Sequence, residues 1–164
     1  MKKALAIILC VVAVCFASCN KEKPNQKFIG SYQGNSIVDL TISAFGQTLP
    51  FDSIPANVAM EITAGSADDK IVANFTVENE TRTLNGTVNN DEISFEPLTV
   101  KESIEGSQID ITINLNGNKV NNNTLNLNGN ITGSGTIIIE DFPTPIPATI
   151  TGTINGTLNK LLAE

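Results

Sequence analysis

The chain has 164 residues, of which 41% are hydrophobic and 16% charged, and its formal net charge is -7. One ordinary domain fits this length. The sequence contains no histidine, which excludes Ser-His-Asp and Cys-His catalytic arrangements and zinc sites of the HExxH type. The acidic balance argues against nucleic acid as a partner, because no basic patch is available to neutralise phosphates.

The amino-terminal segment is typical of an export signal. Lys2 and Lys3 precede an uncharged apolar run over residues 4–16. This run is shorter than the ~20 residues that a helix needs to span a bilayer. It ends in the tetrapeptide FASC, residues 16–19, in which small residues stand directly before a cysteine. We therefore set this segment apart from the folded body.

The FASC tetrapeptide resembles the lipobox of bacterial lipoproteins, in the looser form common in Bacteroidetes. The resemblance implies cleavage after residue 18 and lipids on Cys19, so that the protein contacts the membrane through a lipid anchor. Cys10 and Cys15 lie in the removed segment and no cysteine follows Cys19, so the exported chain has no disulfide framework. The alternatives are lipidation at Cys15, an uncleaved anchor and an ordinary secretory signal.

The same resemblance implies a location in the bacterial cell envelope. Asn20 stands where an aspartate retains lipoproteins in the inner membrane of enteric bacteria, so we expect the outer membrane. Residues 20–27 are polar and include Pro24, a composition typical of a solvated tether. The predicted organisation is therefore a signal peptide (1–18), a lipidated cysteine with its tether (19–27) and one folded domain (28–164).

From Phe28 onward the hydrophobicity alternates with a period of two, which is the pattern of strands with one buried and one solvated face. Clusters of turn-forming residues separate these runs at short intervals. Many short strands predict an all-β fold, an antiparallel up-and-down barrel of about eight or nine strands, with a β-sandwich as the alternative. The predicted strands are 30–45, 56–63, 70–77, 81–89, 92–101, 107–116, 123–132, 135–140 and 148–159.

If the barrel closes, its first and last long strands are neighbours. The alternation also predicts which side chains face the interior. These inward side chains are mostly aliphatic, and we expect them to leave a partial cavity that opens towards the proline-rich loops. The predicted inward set is Tyr32, Val38, Leu40, Ile42, Met60, Ile62, Phe75, Leu84, Phe95, Ile111, Ile113, Leu127, Ile137, Ile139, Ile150 and Ile154.

Glycines on the apolar face favour a barrel over a flat sandwich. Gly86, Gly129 and Gly156 lie inside alternating runs, where an inward glycine lets a sheet bend or a neighbour approach closely. Asn116-Gly117 lies where the alternation pauses and predicts a hairpin turn. Gly133-Ser134-Gly135 predicts a second turn, which separates two strands.

The start of the folded body resembles that of the calycin or lipocalin superfamily. Residues 28–34 read FIGSYQG, with an aromatic, a glycine and a second aromatic entering the first long strand. The resemblance implies that Tyr32 seals the closed end of a barrel, in the place of the family's tryptophan. The family packs a basic residue over that aromatic, and here no residue is assigned to that place, since Arg82 is the only arginine. With the preceding tether and an all-β body, the chain is similar to the lipocalin-like and calycin-like lipoproteins of Bacteroidetes.

The sequence offers little chemistry for catalysis or metal binding. Asp68-Asp69 and Asp91-Glu92 are acidic pairs in predicted turns, and neither has the spacing of a calcium loop. Solvated turn carboxylates are the simpler interpretation, with a loose calcium site as the alternative. We expect no enzymatic activity, no cofactor and no metal site.

Two proline-flanked connections carry the remaining candidates. Asp52-Ser53-Ile54 is similar to the acceptor of the general O-glycosylation system of Bacteroidetes, which would make Ser53 a glycosylation site. Phe51, in the same connection, and Phe142 and Ile146, in the connection 141–148, are candidates for an exposed ligand mouth. In the simpler interpretation these apolar side chains cap a barrel end.

Three classes of function follow from these features. The favoured class is a non-catalytic binding module of the cell envelope for a small apolar or glycan ligand. The second is a structural or interaction subunit of an envelope complex with no ligand of its own, and the third and weakest is an enzyme. A cavity in the barrel favours the first class, and a filled barrel with an exposed apolar patch favours the second.

Overall fold

A computed structural model describes residues 22–104, 107–139 and 142–162. A short 3-10 turn, Gln26–Phe28, precedes ten antiparallel strands. Within these described ranges no helix has the length and hydropathy of a membrane span. The strands are β1 (Gly30–Ala44), β2 (Gln47–Pro50), β3 (Ile54–Ala64), β4 (Lys70–Val77), β5 (Glu80–Asn89), β6 (Glu92–Phe95), β7 (Leu98–Ile104), β8 (Ser107–Asn121), β9 (Thr124–Ile139) and β10 (Phe142–Lys160).

Eight of these strands form a closed barrel in the order β1, β3, β4, β5, β6, β8, β9 and β10. Closure comes from the pairing of β1 with β10, which runs from Tyr32 opposite Lys160 to Ala44 opposite Ala148. The predicted antiparallel barrel and the predicted pairing of its first and last long strands are thus confirmed. The sandwich alternative is wrong, because one continuous sheet contains every strand.

The two remaining strands, β2 and β7, belong to a part of the sheet that extends beyond the closed ring. β3 begins at Ile54 opposite Val38, so the second half of β1 pairs instead with the short β2. On the other side, β7 pairs only with β8 among the described strands. We call the part encircled by all eight strands the closed half. The open half is the curved sheet β2-β1-β10-β9-β8-β7 that extends beyond it.

The hydrophobic core fills the closed half. Phe28 is fully buried beneath the barrel and Tyr32 is 2% exposed. Burying large side chains on the inner faces of short strands is the main source of stability for such a sheet. The buried core consists of Phe28, Tyr32, Val58, Met60, Ile62, Ile71, Ala73, Leu84, Val88, Ile93, Phe95, Leu115, Leu125, Leu127 and Leu158.

The residues predicted to face the interior lie on the inner face of the sheet wherever their side chains are described. Phe75 and Ile154 pack against the core, and Ile150 is 7% exposed. The side chain of Ile139 lies outside the described residues. Gly86 faces Ile71, Ile93 and Phe95, and Gly129 and Gly156 also face inner-side neighbours. The alternation therefore identified the inner face correctly along the barrel.

Two predicted turns are wrong. Gly133-Ser134-Gly135 lies within β9, and Asn116-Gly117 lies within β8 opposite Leu127 and Asn128. The reason for Gly135 is a close approach between strands, because a Cβ atom there would overlap the backbone carbonyl oxygen of Gln108. These glycines let long strands bend around the barrel.

Other strand boundaries also differ from the prediction. Glu96 and Pro97 separate β6 from β7, in agreement with the inability of proline to donate to a ladder. The prediction treated them as one strand and missed β2. The tether ends earlier than predicted, because Asn25 is 2% exposed and its side-chain Nδ2 donates to the carbonyl oxygens of Ala67 and Lys70 at 3.1 and 2.9 Å.

Candidate functional site: the open half of the barrel

The inner face of the open half is an aliphatic surface. Neighbouring inner positions on β1, β8, β9 and β10 carry mostly branched side chains, which are partly buried on β1 and β8, whereas those of Ile131, Ile146 and Ile150 are buried. The glycines of β9 and β10 deepen the curvature of this surface. Its described apolar inner-face residues include Val38, Leu40, Ile42, Leu98, Val100, Ile109, Ile111, Ile113, Ile131, Ile137, Ile146, Ala148 and Ile150.

A row of exposed apolar side chains continues this surface at the β2 edge. Leu49 lies opposite Ile42, and Ile54 lies opposite Val38. The backbone N–H of Phe51 donates to the carbonyl oxygen of Leu40 at 2.9 Å. Since directly opposed residues of an antiparallel pair share one face, all three side chains belong to the inner face.

The exposure of this row distinguishes it from ordinary barrel positions. Leu49 is 60% exposed, Phe51 is 51% exposed and Ile54 is 47% exposed. Contiguous exposed apolar side chains are uncommon on a monomeric protein and mark binding surfaces. We call Leu49, Phe51 and Ile54 the apolar rim. Phe51, predicted as a mouth residue, therefore lies at the edge of the open half.

A pocket of about 460 Å³ lies at the tip of the open half. It forms between the β1–β2 turn, which contains Phe45 and Gly46, and residues 144–147 at the start of β10. Phe45 has a φ of 54°, a left-handed conformation that is uncommon for a non-glycine residue. Ile146 lines this pocket, which places a second predicted mouth residue there.

The exposure predicted for Ile146 is wrong, since only 4% of the residue is exposed. The predicted connection 141–148 belongs to β10 from Phe142 onward, with irregular pairing to β9 between Phe142 and Ile146. β1 ends opposite Ala148, so the proline-containing part has no β1 neighbour to which it must donate. The side chain of Phe142 lies outside the described residues.

Phe45, Leu49 and Ile54 are the site residues that sequence reasoning missed. A signal for the rim was present, because Leu49 and Phe51 alternate with Thr48 and Pro50. That period of two is the pattern of a half-buried strand, but it spans too few residues to stand out. The pattern also did not predict that the rim would stay exposed at the edge of the sheet.

The inner face of the open half is uncharged wherever its side chains are described. Gln47, opposite Ala44, is its polar member on β2. Asp39 and Asp110 alternate with the inner residues and therefore face the opposite side. On β7 the register places Glu102 opposite Ile109 and therefore on the same face. The aliphatic part of the surface, on β1, β9 and β10, lacks among its described residues a charge that could offset the lost hydration of a charged group, so it suits an uncharged apolar portion of a ligand.

Tyr32 lies at the closed end, as predicted for the barrel-end aromatic. Its hydroxyl donates to the carbonyl oxygen of Phe28 at 2.9 Å, and burial raises the pKa of this hydroxyl. The Nζ atom of Lys160 lies 5.8 Å from the centre of the ring. Lys160, which the sequence pattern did not single out, thus places a cation over the Tyr32 ring.

The remaining sequence candidates lie beside the apolar rim, at the closed end or outside the described residues. The Oγ of Ser53 donates to Oδ1 of Asp39 at 2.6 Å in an exposed loop, and its glycosylation stays a prediction. Asp68 and Asp91 form ion pairs with Lys23 and Lys27, so lysines already neutralise these turn carboxylates. Cys19 lies outside the described residues.

Fold and site together define a class: a closed antiparallel β-barrel whose open half presents a largely aliphatic surface. No family model matches the chain, and no curated protein matches it significantly. Among solved structures, the chain is similar to a DUF3598-family protein of unknown function from Nostoc punctiforme, with 10% identity and a TM-score of 0.38. That likeness covers 82% of this chain and 48% of the other.

Two structures from Bacteroides species also resemble the chain. One is a multidomain protein including DUF1735 from Bacteroides ovatus, with 11% identity, a TM-score of 0.28 and coverage of 79% of this chain and 56% of the other. The second is an auxiliary nutrient binding protein from Bacteroides thetaiotaomicron, with 12% identity, a TM-score of 0.29 and coverage of 78% and 45%. The chain thus spans about half the length of each of the three structures, and the low TM-scores assign it no family.

Proposed function

We propose that this protein is a non-catalytic binding module that holds an uncharged apolar ligand against the open half of its barrel. The observation that carries this proposal is the apolar rim, whose three exposed side chains lie in register with the half-buried inner face of β1. A ligand lying along Leu40 and Ile42 would cover that rim and complete the wall that the short β3, β4 and β5 leave open.

The energetics favour an apolar ligand over a glycan. Fully burying a large aliphatic or aromatic side chain contributes roughly 1.5–3 kcal/mol, so partial burial of several exposed side chains supplies a few kcal/mol before the costs of association. A glycan would instead lose hydrogen bonds to water against a surface of aliphatic side chains. The ligand class is therefore a neutral molecule with an extended hydrocarbon portion.

The place of action follows from the lipobox resemblance. Lipids on Cys19 would hold the barrel at the cell envelope, and at the outer membrane if Asn20 acts as the sorting residue. Several acyl chains on one cysteine give stable anchoring, because each buried CH₂ contributes about 0.8 kcal/mol. The binding module would then work within reach of membrane-derived apolar molecules.

A second candidate function is that of an interaction subunit, and the edge strands favour it. β2 pairs only with β1, and β7 only with β8, among the described strands. Such edges present unpaired backbone groups that a strand of another protein could bind. The apolar rim lies on the β2 edge, so a partner strand there would also cover Leu49 and Phe51.

Titration with the neutral fluorescent probe N-phenyl-1-naphthylamine tests the ligand proposal. A chain beginning at Asn20 contains every strand of the barrel and avoids the lipid anchor. We expect saturable fluorescence enhancement, and the variant Leu49→Asn/Phe51→Asn should raise the Kd at least about tenfold, since each lost contact contributes on the order of 1 kcal/mol.

The matched control is Ile37→Asn, which removes a 50% exposed side chain from the outer face of β1. It should leave the Kd unchanged. Equal losses in both variants, or no saturable binding at all, would contradict the ligand proposal. If, in addition, the wild-type chain captured an envelope protein that Leu49→Asn/Phe51→Asn released, the interaction subunit would be the better account.

A further inference from the structure

Exposed aliphatic side chains and lysines lie side by side at the closed end of the barrel. Val120, near the end of β8, is 59% exposed, and Leu161 and Leu162, directly after β10, are 54% and 78% exposed. Lys119 and Lys160 are their chain neighbours. We call Lys119, Val120, Lys160, Leu161 and Leu162 the basal patch.

Backbone hydrogen bonds bring the two parts of the basal patch together. The N–H of Lys160 donates to the carbonyl oxygen of Asn123 in the β8–β9 turn at 2.7 Å. The N–H of Leu161 donates to the carbonyl oxygen of Ser31 at the start of β1 at 2.8 Å. The end of β10 is therefore fixed against the β8–β9 turn, which directly follows the end of β8 where Val120 lies, and the exposed leucines lie at the closed end of the barrel.

The lysines of the basal patch differ from their neighbours in forming no ion pair with a carboxylate of the described residues. Lys23, Lys27 and Lys70 at this end form ion pairs with aspartates of nearby turns. Lys119 and Lys160 form no ion pair within the described part of the chain, and the Nζ of Lys119 donates to the carbonyl oxygen of Lys27 at 2.7 Å.

The positive charges at this end also crowd one another. Burial and the charges of Lys160 and Lys27 lower the pKa of Lys119, and Asp91 and Glu22 offset this effect only in part. An anionic group outside the patch would relieve this repulsion. Carboxylates also lie at this end, among them Glu61 beside Leu161, but Asp68, Asp69 and Asp91 pair with Lys23, Lys70 and Lys27 rather than with the two lysines of the basal patch.

The chain enters the barrel at this same end. Asn25 is fixed by its hydrogen bonds to Ala67 and Lys70, and its backbone N–H donates to the carbonyl oxygen of Asp68 at 3.1 Å. Five residues separate Asn25 from Cys19, and a fully extended segment of this length reaches about 20 Å. A lipid anchor at Cys19 would therefore keep the closed end close to the bilayer.

We propose that the basal patch docks on the anionic headgroup region of the membrane, so that the open half of the barrel points away from the bilayer. Leu161, Leu162 and Val120 would enter the boundary between headgroups and acyl chains, and Lys119 and Lys160 would contact lipid phosphates. The restraint from the short tether depends on the anchor proposed for Cys19, whereas the exposed leucines and the charges of Lys119 and Lys160 do not.

Lysine labelling on vesicles tests this orientation without natural lipidation. A chain beginning at Cys19 has a single thiol, which can be coupled to a maleimide phospholipid in vesicles of phosphatidylcholine, with or without about 30% phosphatidylglycerol. A membrane-impermeant acylating reagent then labels lysines, and mass spectrometry measures the rate at each position. We expect Lys119 and Lys160 to react about fivefold more slowly on the anionic vesicles, in line with the attraction of each lysine to such a surface.

Lys101 is the internal control, because it lies on β7 in the open half and is well exposed. Its labelling rate should be the same on both vesicles. The variant Leu161→Asn/Leu162→Asn should remove the protection of Lys119 and Lys160, whereas Ile138→Asn, at an exposed aliphatic residue near the opposite end, should not. Equal rates at Lys119 on both vesicles, or equal protection of Lys101, would overturn the proposed orientation.

The design separates this inference from the proposed function. Chemical coupling replaces the natural lipids, so absence of lipidation in the cell would leave the labelling result standing. Likewise, the apolar rim lies in the open half and the basal patch lies at the closed end, so a barrel that binds no fluorescent probe can still show protected lysines. Only the loss of selective protection contradicts the docking surface.

Discussion

At the scale of single residues, Tyr32 connects the entry segment to the barrel. Its hydroxyl donates to the carbonyl oxygen of Phe28 from a position that is 2% exposed. Phe28 in turn closes the bottom of the core, with the Nζ atoms of Lys27 and Lys119 at 5.6 and 5.9 Å from the centre of its ring. The sequence predicted the place of Tyr32, but its partner is a backbone atom that no side-chain pattern reveals.

The variant Tyr32→Phe should lower the free energy of unfolding by about 1–3 kcal/mol, because it leaves the carbonyl of Phe28 without its partner in a buried site. Urea denaturation followed by circular dichroism measures this change. The matched control is Thr63→Val, which removes an exposed hydrogen bond to the carbonyl oxygen of Val72 and should cost less than about 0.5 kcal/mol. Equal losses in the two variants would show that the buried hydroxyl has no special role.

At the scale of elements, the period of two identified most strands and their inner faces, but it misplaced their ends. Local sequence encodes which face of a strand is apolar, as in Tyr32 to Ile42. It does not encode which neighbour approaches a glycine, so Gly135 was assigned to a turn. β2 was missed because it is short and its side chains are exposed, so burial leaves little pattern in it.

The variant Gly135→Ala separates the two interpretations of that segment. In β9 a Cβ atom at this position would overlap the carbonyl oxygen of Gln108, so the backbone would have to shift and we expect a loss of about 2 kcal/mol or more. Gly117→Ala is the matched control, since its Cβ would meet only the flexible end of Leu125 at 3.3 Å. Thermal or urea unfolding measures both, and a neutral Gly135→Ala would indicate a turn rather than a bent strand.

At the scale of the whole molecule, the barrel is filled at one end and open at the other. The predicted partial cavity is instead a one-sided surface, since β3, β4 and β5 stop short of the tips of β1 and β10. Which part of the barrel stays open depends on the length of each strand relative to its neighbours. The alternation of hydrophobicity within a single strand does not contain this information. The lipobox lies outside the barrel, so its role is a separate prediction.

Lipidation at Cys19 has a direct test in a host that processes bacterial lipoproteins. Growth with a palmitate analogue should label the wild-type protein, and Cys19→Ala should abolish the label because the acyl acceptor is lost. Cys15→Ala is the matched control and should keep the label. A labelled Cys19→Ala variant would assign the anchor to another residue.

The most direct test of ligand binding in the open half is isoleucine-methyl NMR of the chain beginning at Asn20, titrated with 1-decanol as a neutral apolar ligand. Isoleucines report on both halves, because Ile42, Ile111 and Ile150 line the open half whereas Ile62 and Ile93 lie in the closed core. The account predicts saturable shifts at the first three and none at the last two. Unchanged spectra, or shifts confined to the core, would contradict it.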